Sequence, residues 1–355
     1  MPQAKLNTQD ILPGVSRSFA LSIRLLPAAL RESVGLAYLL ARITDTVADT
    51  SGVGAGQRLA LLDRLQKAIA SPDASPSASH QLAPALRDFA RQVPDPHEQA
   101  LLLRGQDCLQ ALESLSPADQ TIVRDVLSAI TEGQRWDLLT LDDPQLGVRT
   151  SAEVDRYTWQ VAGSVGEFWT RICAQHLRDW HTTDTATLMQ WGAAYGKGLQ
   201  RLNILRDAHR DLHAGRCYFP AEALAPLGLD RAQLCAAVRA GDRTRLQQLA
   251  PLLQDWHQLT ESLLHDGLRY SLSLRGRRLR LASALPCLIG IRTLTLLRQA
   301  GPQALFGHVK VPRQQVRRML WVLLLSGVSN AQLQRCWDQG LAAPGPSPLS
   351  ARIGA

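Results

Sequence analysis

The chain has 355 residues, 45% hydrophobic and 20% charged, which suffices for one large domain or two ordinary ones with a full core and excludes a disordered or fibrous chain. Its formal net charge is +8 and its pI about 9.5, so nucleic acid, a membrane surface and a polyanionic substrate are all admissible partners. Nucleic acid finds no support, since there is no zinc-finger spacing, no RNA motif and no basic segment interleaved with aromatic residues.

Six cysteines, Cys108, Cys173, Cys217, Cys235, Cys287 and Cys336, are widely spaced and none forms a Cys-x-x-Cys pair. That usage implies a reducing compartment with neither a disulfide framework nor a zinc site. Met1–Asp10 is polar and is not a signal peptide, so the expected location is cytoplasmic. Leu281–Leu297 contains Pro286 and Arg292, and Met319–Val328 is short; neither is a clean apolar run of about 20 residues. Both read as core helices, and a peripheral membrane contact stays open. The densest basic run, Arg275, Arg277, Arg278 and Arg280, reads equally as a solvated helix end or as a phosphate or lipid contact.

Apolar residues recur at three and four nearly throughout, so the chain is all-α. Leu6–Leu12 leads into a turn at Pro13-Gly14, and an apolar stretch then runs to Leu26, where Pro27 breaks it. Helices are expected over Leu30–Asp49 and Gln57–Ile69. Ser71–Pro84, rich in Ser, Ala and Pro, reads as a surface loop. Ala85–Leu115 gives one or two helices parted by Pro94 and Pro96. Ser116 as N-cap and Pro117 at the first helical position open a helix that runs to about Leu141. Ser151–His176 is a helix interrupted by Gly163 and Gly166, and Leu188–His213 is long. Pro220–Leu227 is a turn. Helices follow over Leu229–Ala240, Thr244–Leu274, Leu279–Ala300, Val316–Leu325 and Asn330–Gln339. A single domain over residues 1–341 and a disordered tail over 342–355 are expected.

Asp45 and Asp49 lie four residues apart on the first long helix, with Arg42 one turn before them. Like charges at that spacing repel. A solvated polar face would account for this pair alone, and so would a divalent cation held by carboxylates and phosphate oxygens. A second copy favours the cation. Gln200, Asn203, Asp207 and Asp211 form one polar stripe on a helix whose other residues are Leu, Ile and Ala. Buried polar groups are costly unless satisfied, and two such stripes facing each other would take Mg²⁺ ions and a diphosphate.

Four segments carry a resemblance to a known family: Ser16–Phe19; Tyr38–Asp49; Tyr157–Gly166; and Gln200–Asp211 running on to Gly215–Pro220. With them, from about Ser16 to Arg317, the chain resembles the squalene/phytoene synthases, the head-to-head prenyl synthases. The resemblance implies a class I isoprenoid synthase fold, a helical bundle around a central cavity. It implies two farnesyl or geranylgeranyl diphosphates as substrates, and Mg²⁺. Asp45, Asp49, Asp207 and Asp211 would be metal carboxylates, with Asn203 and Gln200 beside them. Arg17, Arg42, Arg206 and Arg216 would contact diphosphate oxygens. Tyr157 would sit near the ionising allylic carbon, to move a proton or stabilise a cation, with Tyr38 close by. Gly163 and Gly166 would let the prenyl chain approach the backbone or break the helix, and close helix packing would explain them as well. Two positions depart from the family pattern: Ala48 and Arg210 stand where acids are usual.

Within the family, Ala284–Ile291 and His308–Arg313 look like squalene-synthase segments. Lys310 and Arg313 there resemble basic residues implicated in NADPH use, and they also read as plain surface charges. No Rossmann glycine motif exists, so NADPH would have to bind at the shared cavity. The expectation is therefore a squalene synthase, with a phytoene-, dehydrosqualene- or hydroxysqualene-forming enzyme as the alternative, acting as a monomer or weak oligomer.

Overall fold

The computed structural model describes residues 23, 26–70, 76–143 and 146–342, with the backbone alone over 76–81. Among these residues the regular structure is helical, and the one pairing of β type is an isolated bridge between His181 and Leu274. The Ser16–Phe19 segment with Arg17, the Leu6–Leu12 stretch with the turn after it, and the tail beyond Ala342 lie outside the described residues.

The first half builds one wall. Helices α1 (Ala28–Asp49) and α2 (Ala55–Ala70) come first, then α3 (Pro76–Ala90), α4 (Pro96–Leu103), α5 (Gly105–Glu113) and α6 (Pro117–Leu141). The start of α6 follows its sequence signal: the Ser116 side chain accepts a hydrogen bond from the Asp119 backbone N–H, and Pro117 opens the first turn. The segment from Pro76 to Pro84 is not a loop. It forms the first turns of α3, because Pro76 suits a first helical position and the same helix buries Leu82, Leu86, Phe89 and Ala90. That apolar face outweighs the loop-like composition and the hydrogen bond lost at Pro84.

The second half builds the opposite wall. Helix α7 (Ser151–Thr158) passes through a π-helical turn, Trp159–Gly163, into α8 (Ser164–His176). The interruption expected in this stretch is therefore a π-turn that ends at Gly163. Then come α9 (Thr185–His213), the short α10 (Ala221–Leu224) with a 3₁₀ turn at Ala225–Leu227, α11 (Arg231–Ala240), α12 (Arg243–Gln247) and α13 (Ala250–Ser273). The region 221–227 is thus helical rather than a simple turn, with Pro220 extended just before it. Helix α14 (Arg277–Ala300) keeps Pro286 inside it, a 3₁₀ segment spans Gly301–Phe306, and α15 (Arg313–Leu325) and α16 (Asn330–Leu341) close the fold. All six cysteines are buried and free.

Two apolar clusters result. One joins α1 to α6 with part of α8; the other joins α7, α9, α11, α13, α14 and α16. They meet where α8 crosses α9. A Cβ on Gly166 would stand 1.9 Å from the Gly192 carbonyl oxygen, and one on Gly196 would stand 2.0 Å from that of Ala162. Both contacts are to backbone, so no side-chain rotation relieves them. At Gly166 the close packing is seen, and the same residue also lines the cavity between the two walls.

Gly166→Ala should therefore lower stability by about 1–3 kcal/mol, the usual range for overpacking. Gly52→Ala, where nothing lies within 4 Å of the added carbon, should stay within about 0.5 kcal/mol of the parent. Urea denaturation followed by circular dichroism measures both.

Candidate active site

Helix α1 turns its Leu36, Leu39, Leu40, Ile43 and Val47 side into the core. Its other face presents Tyr38, Arg42, Asp45 and Asp49, spaced at three and four, to a cavity of about 650 Å³ between the two walls. Helix α6 adds Val126, Ile130, Gln134 and Asp137, α7 adds Tyr157, and α9 adds Gly192, Tyr195, Gly196, Leu199 and Gln200. Phe168, Trp169, Tyr270, Ala282 and Pro286 complete an apolar lining. The charged residues gather at one end. Asn203, Asp207 and Asp211 continue the α9 stripe from Gln200 beyond the cavity lining.

Asp137 was not singled out by the sequence reading, yet it ties the site together. Its two oxygens accept from Arg216 Nη2 and, at 2.6 Å, from the Tyr218 hydroxyl. Arg216 also reaches Asp142, whose other oxygen accepts from Arg58 Nη2 at 2.6 Å. The Arg58 guanidinium in turn donates to the Ala48 carbonyl at 2.7 Å, so Ala48 is a buried part of the cavity wall held from behind. The rings of Tyr157 and Tyr218 stack with centroids 5.6 Å apart, and Trp136 tilts against Tyr157 at 5.0 Å. Gln200 Nε2 lies 3.5 Å from the Tyr157 hydroxyl, and Asn203 Nδ2 lies 3.4 Å from Gln200 Oε1. The signal for Asp137 was present in the sequence: Gln134 and Asp137 break the apolar face of α6 as the acids break that of α9.

The arginines pair with these acids. Arg42 Nη1 reaches Asp45 at 2.5 Å, and its Nη2 bonds Glu98. Arg206 reaches Asp207 at 2.7 Å. Arg210, standing where the family usually has an acid, lies 3.9 Å from Asp207 and 3.7 Å from Asp211. Among the described residues no cation pairs with Asp49 within 4 Å. Lys310 and Arg313 are exposed, and neither lines the cavity. Gly163 ends the π-turn, close to Trp159 and Lys197, and is not itself in the lining.

The carboxyl groups carry more negative charge than the arginines offset. Withdrawal from solvent pushes the Asp49 carboxyl up to about 7, with like charge from Asp45 and Asp137 adding to the rise. Asp49 keeps an accessible surface, so the withdrawal is that of a cleft mouth rather than of a sealed core. Burial also raises Asp45, which Arg42 partly opposes. Asp211 rises to about 6 through burial, against Arg210 and Arg216. Burial, then Asp137 and Tyr218, holds the Tyr157 hydroxyl well above the ordinary tyrosine value. Among the described residues no three His, Cys, Asp or Glu side chains converge on a single metal position. The donors are all hard carboxylate oxygens, which suit Mg²⁺ ions that complete their shells with water and substrate phosphate.

A helical bundle around an apolar cavity with an acid-lined end is the architecture of an isoprenoid synthase. The profile of the squalene/phytoene synthases matches residues 12–315, and the chain belongs to that family. It is 25% identical to squalene synthase ERG9 of Saccharomyces cerevisiae over 322 residues, covering 86% of this chain and 64% of the yeast protein. It is 25% identical over 242 residues to the bifunctional lycopene cyclase/phytoene synthase of Blakeslea trispora, covering 67% of this chain and 36% of that protein. The chain thus spans less than two thirds of the length of either relative. The solved structure of TcSQS with the ligand BPH1237 shares the fold, with a TM-score of 0.72 at 21% identity over 97% of this chain and 93% of that one.

The carboxyl cluster makes a pH dependence testable in buffer free of divalent cations. A carboxyl whose native pKa is raised contributes stability that is full below its ordinary value and lost as pH climbs through the native value. Asp49 moves from 3.8 to about 7. Asp49→Asn should therefore gain thermal stability relative to the parent as pH rises from about 4 to about 7, and added Mg²⁺ should narrow the gap by stabilising the parent. A constant difference across that range would contradict the assignment.

Proposed function

We propose that the chain is a prenyltransferase that joins two farnesyl diphosphates head to head, by way of presqualene diphosphate, to squalene. One observation carries the reading: a single cavity of about 650 Å³ has apolar and aromatic walls and gathers Arg42, Asp45, Asp49 and Asp137 at one end. Such a cavity takes a substrate with a long hydrocarbon tail and a polyanionic head.

Asp45, Asp49, Asp207 and Asp211, with Asn203 and Gln200 beside them, are the residues that would hold Mg²⁺. Bound there, Mg²⁺ supplies charge neutralisation of the departing diphosphate. Arg42, Arg206 and Arg216 orient the diphosphate through their guanidinium forks; each now bonds a carboxylate, so the incoming anion exchanges with partners already placed. Tyr157 keeps its proton and so acts as a neutral phenol, whose ring face stabilises positive charge at the allylic carbon. The walls exclude water, which would quench a carbocation. Wall hydroxyls are occupied too: Tyr195 donates to the Ser283 carbonyl at 2.9 Å, and Tyr270 bonds Thr170 at 2.9 Å.

The squalene outcome requires NADPH as reductant. Lys310 and Arg313 stand outside the cavity lining, so they build no dinucleotide site around it. That placement favours a second reading, in which the chain releases an unreduced product of the phytoene, dehydrosqualene or hydroxysqualene kind.

Labelled farnesyl diphosphate separates these readings. Turnover should require Mg²⁺ and stop with chelator; squalene formed only with NADPH supports the first reading, and one product with or without NADPH supports the second. No product from farnesyl or geranylgeranyl diphosphate would overturn both. Asp45→Asn and Asp207→Asn should each lower the rate at least about a hundredfold, the scale of losing one electrostatic element of a preorganised site. Unchanged rates would sink the metal assignment.

A further inference from the structure

The net charge of +8 is not spread evenly. Between Asp266 and Asp338 the chain has twelve lysines and arginines and no acid at all, so the remainder carries 31 acids against 27 basic residues. The functional site absorbs none of this excess.

The fold gathers much of it around one exposed apolar feature. Helix α15 buries a single residue, Leu323. Its outward stripe runs Gln314, Arg317 and Arg318, Trp321, then Leu324 and Leu325, at spacings of three and four. Trp321 is 64% exposed, Leu324 49% and Leu325 84%, and Leu325 is the most exposed of the large apolar side chains described. The helix is thus basic at its start and apolar at its end. Just past that end the chain turns back at Gly327, and a Cβ there would lie 3.4 Å from the guanidinium of Arg277. Arg280 Nη1 donates to the Val328 carbonyl at 2.9 Å. The start of α14, with Arg275, Arg277 and Arg278 exposed, therefore flanks the apolar tip from the side opposite Arg317 and Arg318. Among the described residues none of these five arginines forms an ion pair.

We infer that this face, Trp321, Leu324 and Leu325 inside a collar of arginines, docks the protein on an anionic lipid bilayer. Tryptophan and leucine seat in the headgroup and acyl boundary, while arginines meet lipid phosphates. The charge of the face decides among occupants. A second copy on a two-fold axis would set the collar against its own like charge. A nucleic acid would match the arginines and leave the leucines without a partner. The contact is peripheral rather than spanning: Arg277–Phe306 is long and apolar enough to cross a membrane, yet 61% of its most apolar window is buried inside the fold. Helix α14 also carries Ala282, Ser283 and Pro286 into the cavity wall. Ala282 is four residues beyond Arg278, about 6 Å along the axis, so the apolar part of the cavity lies close behind the docking face.

The test is sedimentation of the full chain with vesicles of phosphatidylcholine alone or mixed with phosphatidylglycerol. Binding should need the anionic lipid and weaken as salt rises from about 0.1 M to about 1 M, over which the Debye length falls from about 10 Å to about 3 Å. Arg317→Glu with Arg318→Glu should weaken it at least about tenfold, each basic residue near an anionic surface contributing about fivefold. Trp321→Ser with Leu325→Ser should weaken it to a similar degree, and thermal melting checks that both variants fold. Brominated lipid should quench fluorescence of the parent more than that of Trp321→Phe, a readout that survives if one double variant misfolds. Equal binding to both vesicle types, full binding by both double variants, or a lipid-indifferent dimer that either double variant splits would overturn the inference.

Discussion

Carboxylates held at one end of an apolar cavity repel one another, and the bundle is arranged to keep them there. Asp45 and Asp49 come from α1 and Asp137 from α6, and Asp207 and Asp211 continue the α9 stripe beyond the cavity lining. Each helix is anchored by its own apolar face, so the polar stripe opposite has no freedom to retreat into solvent. The glycine contacts of α8 with α9 bring backbone to backbone and fix where the α9 stripe begins. Arginines then relieve part of the repulsion. Arg216 holds Asp137 and Asp142 together, and Arg42 spans Asp45 and Glu98. Burial first, and the like charge that remains second, raise the proton affinity of Asp45, Asp49 and Asp211. A site that gathers carboxylates beside an apolar cavity is suited to cations and to an anionic head that shares them.

Much of this was legible before any coordinates. The α1 and α9 stripes each break a helical apolar pattern at a fixed spacing, and that spacing survives folding unchanged. Asp137 was harder to see because it has no acid at four residues to mark it; Gln134 at three is a quieter signal. Its importance comes from Arg216 and Tyr218, residues some eighty positions away in the chain that only the tertiary fold brings to it. The loop reading of Ser71–Pro84 failed over residues 76–84 for a different reason. Local composition spoke for a loop, and burial of Leu82, Leu86 and Phe89 against the core decided for a helix. Gly163 and Gly166 show a split outcome within four residues: one closes a π-turn, and the other is a point of backbone contact.

Ala48 and Arg210 were the two departures from the family pattern, and the structure gives each a local meaning. Ala48 is small, buried and apolar on the cavity wall, and Arg58 holds its carbonyl from outside. An acid there would add charge to the end of the cavity that already holds Asp45 and Asp49. Arg210 lies within 4 Å of both acids of the second pair, so it replaces added repulsion with partial neutralisation. Both changes act in the same direction. They lower the negative charge of the site while leaving the four aspartates in place.

Net charge was the least informative number in the sequence, because it sums two regions of opposite character. The segment between Asp266 and Asp338 is wholly basic in its charged residues, and the rest of the chain carries a small acidic excess that includes the carboxylate end of the cavity. Such a partition makes the molecule a dipole on top of its net charge. Beside an anionic surface a dipole of this kind turns its basic face inward and its acidic parts away. The carboxylates then keep their access to soluble cations and diphosphates, while the helix that lines the apolar part of the cavity stands next to the lipid. Separating the two chemistries along one molecule removes a conflict that a uniformly basic surface would have, since there the arginines that attract a membrane would compete with the site for the same anionic substrate.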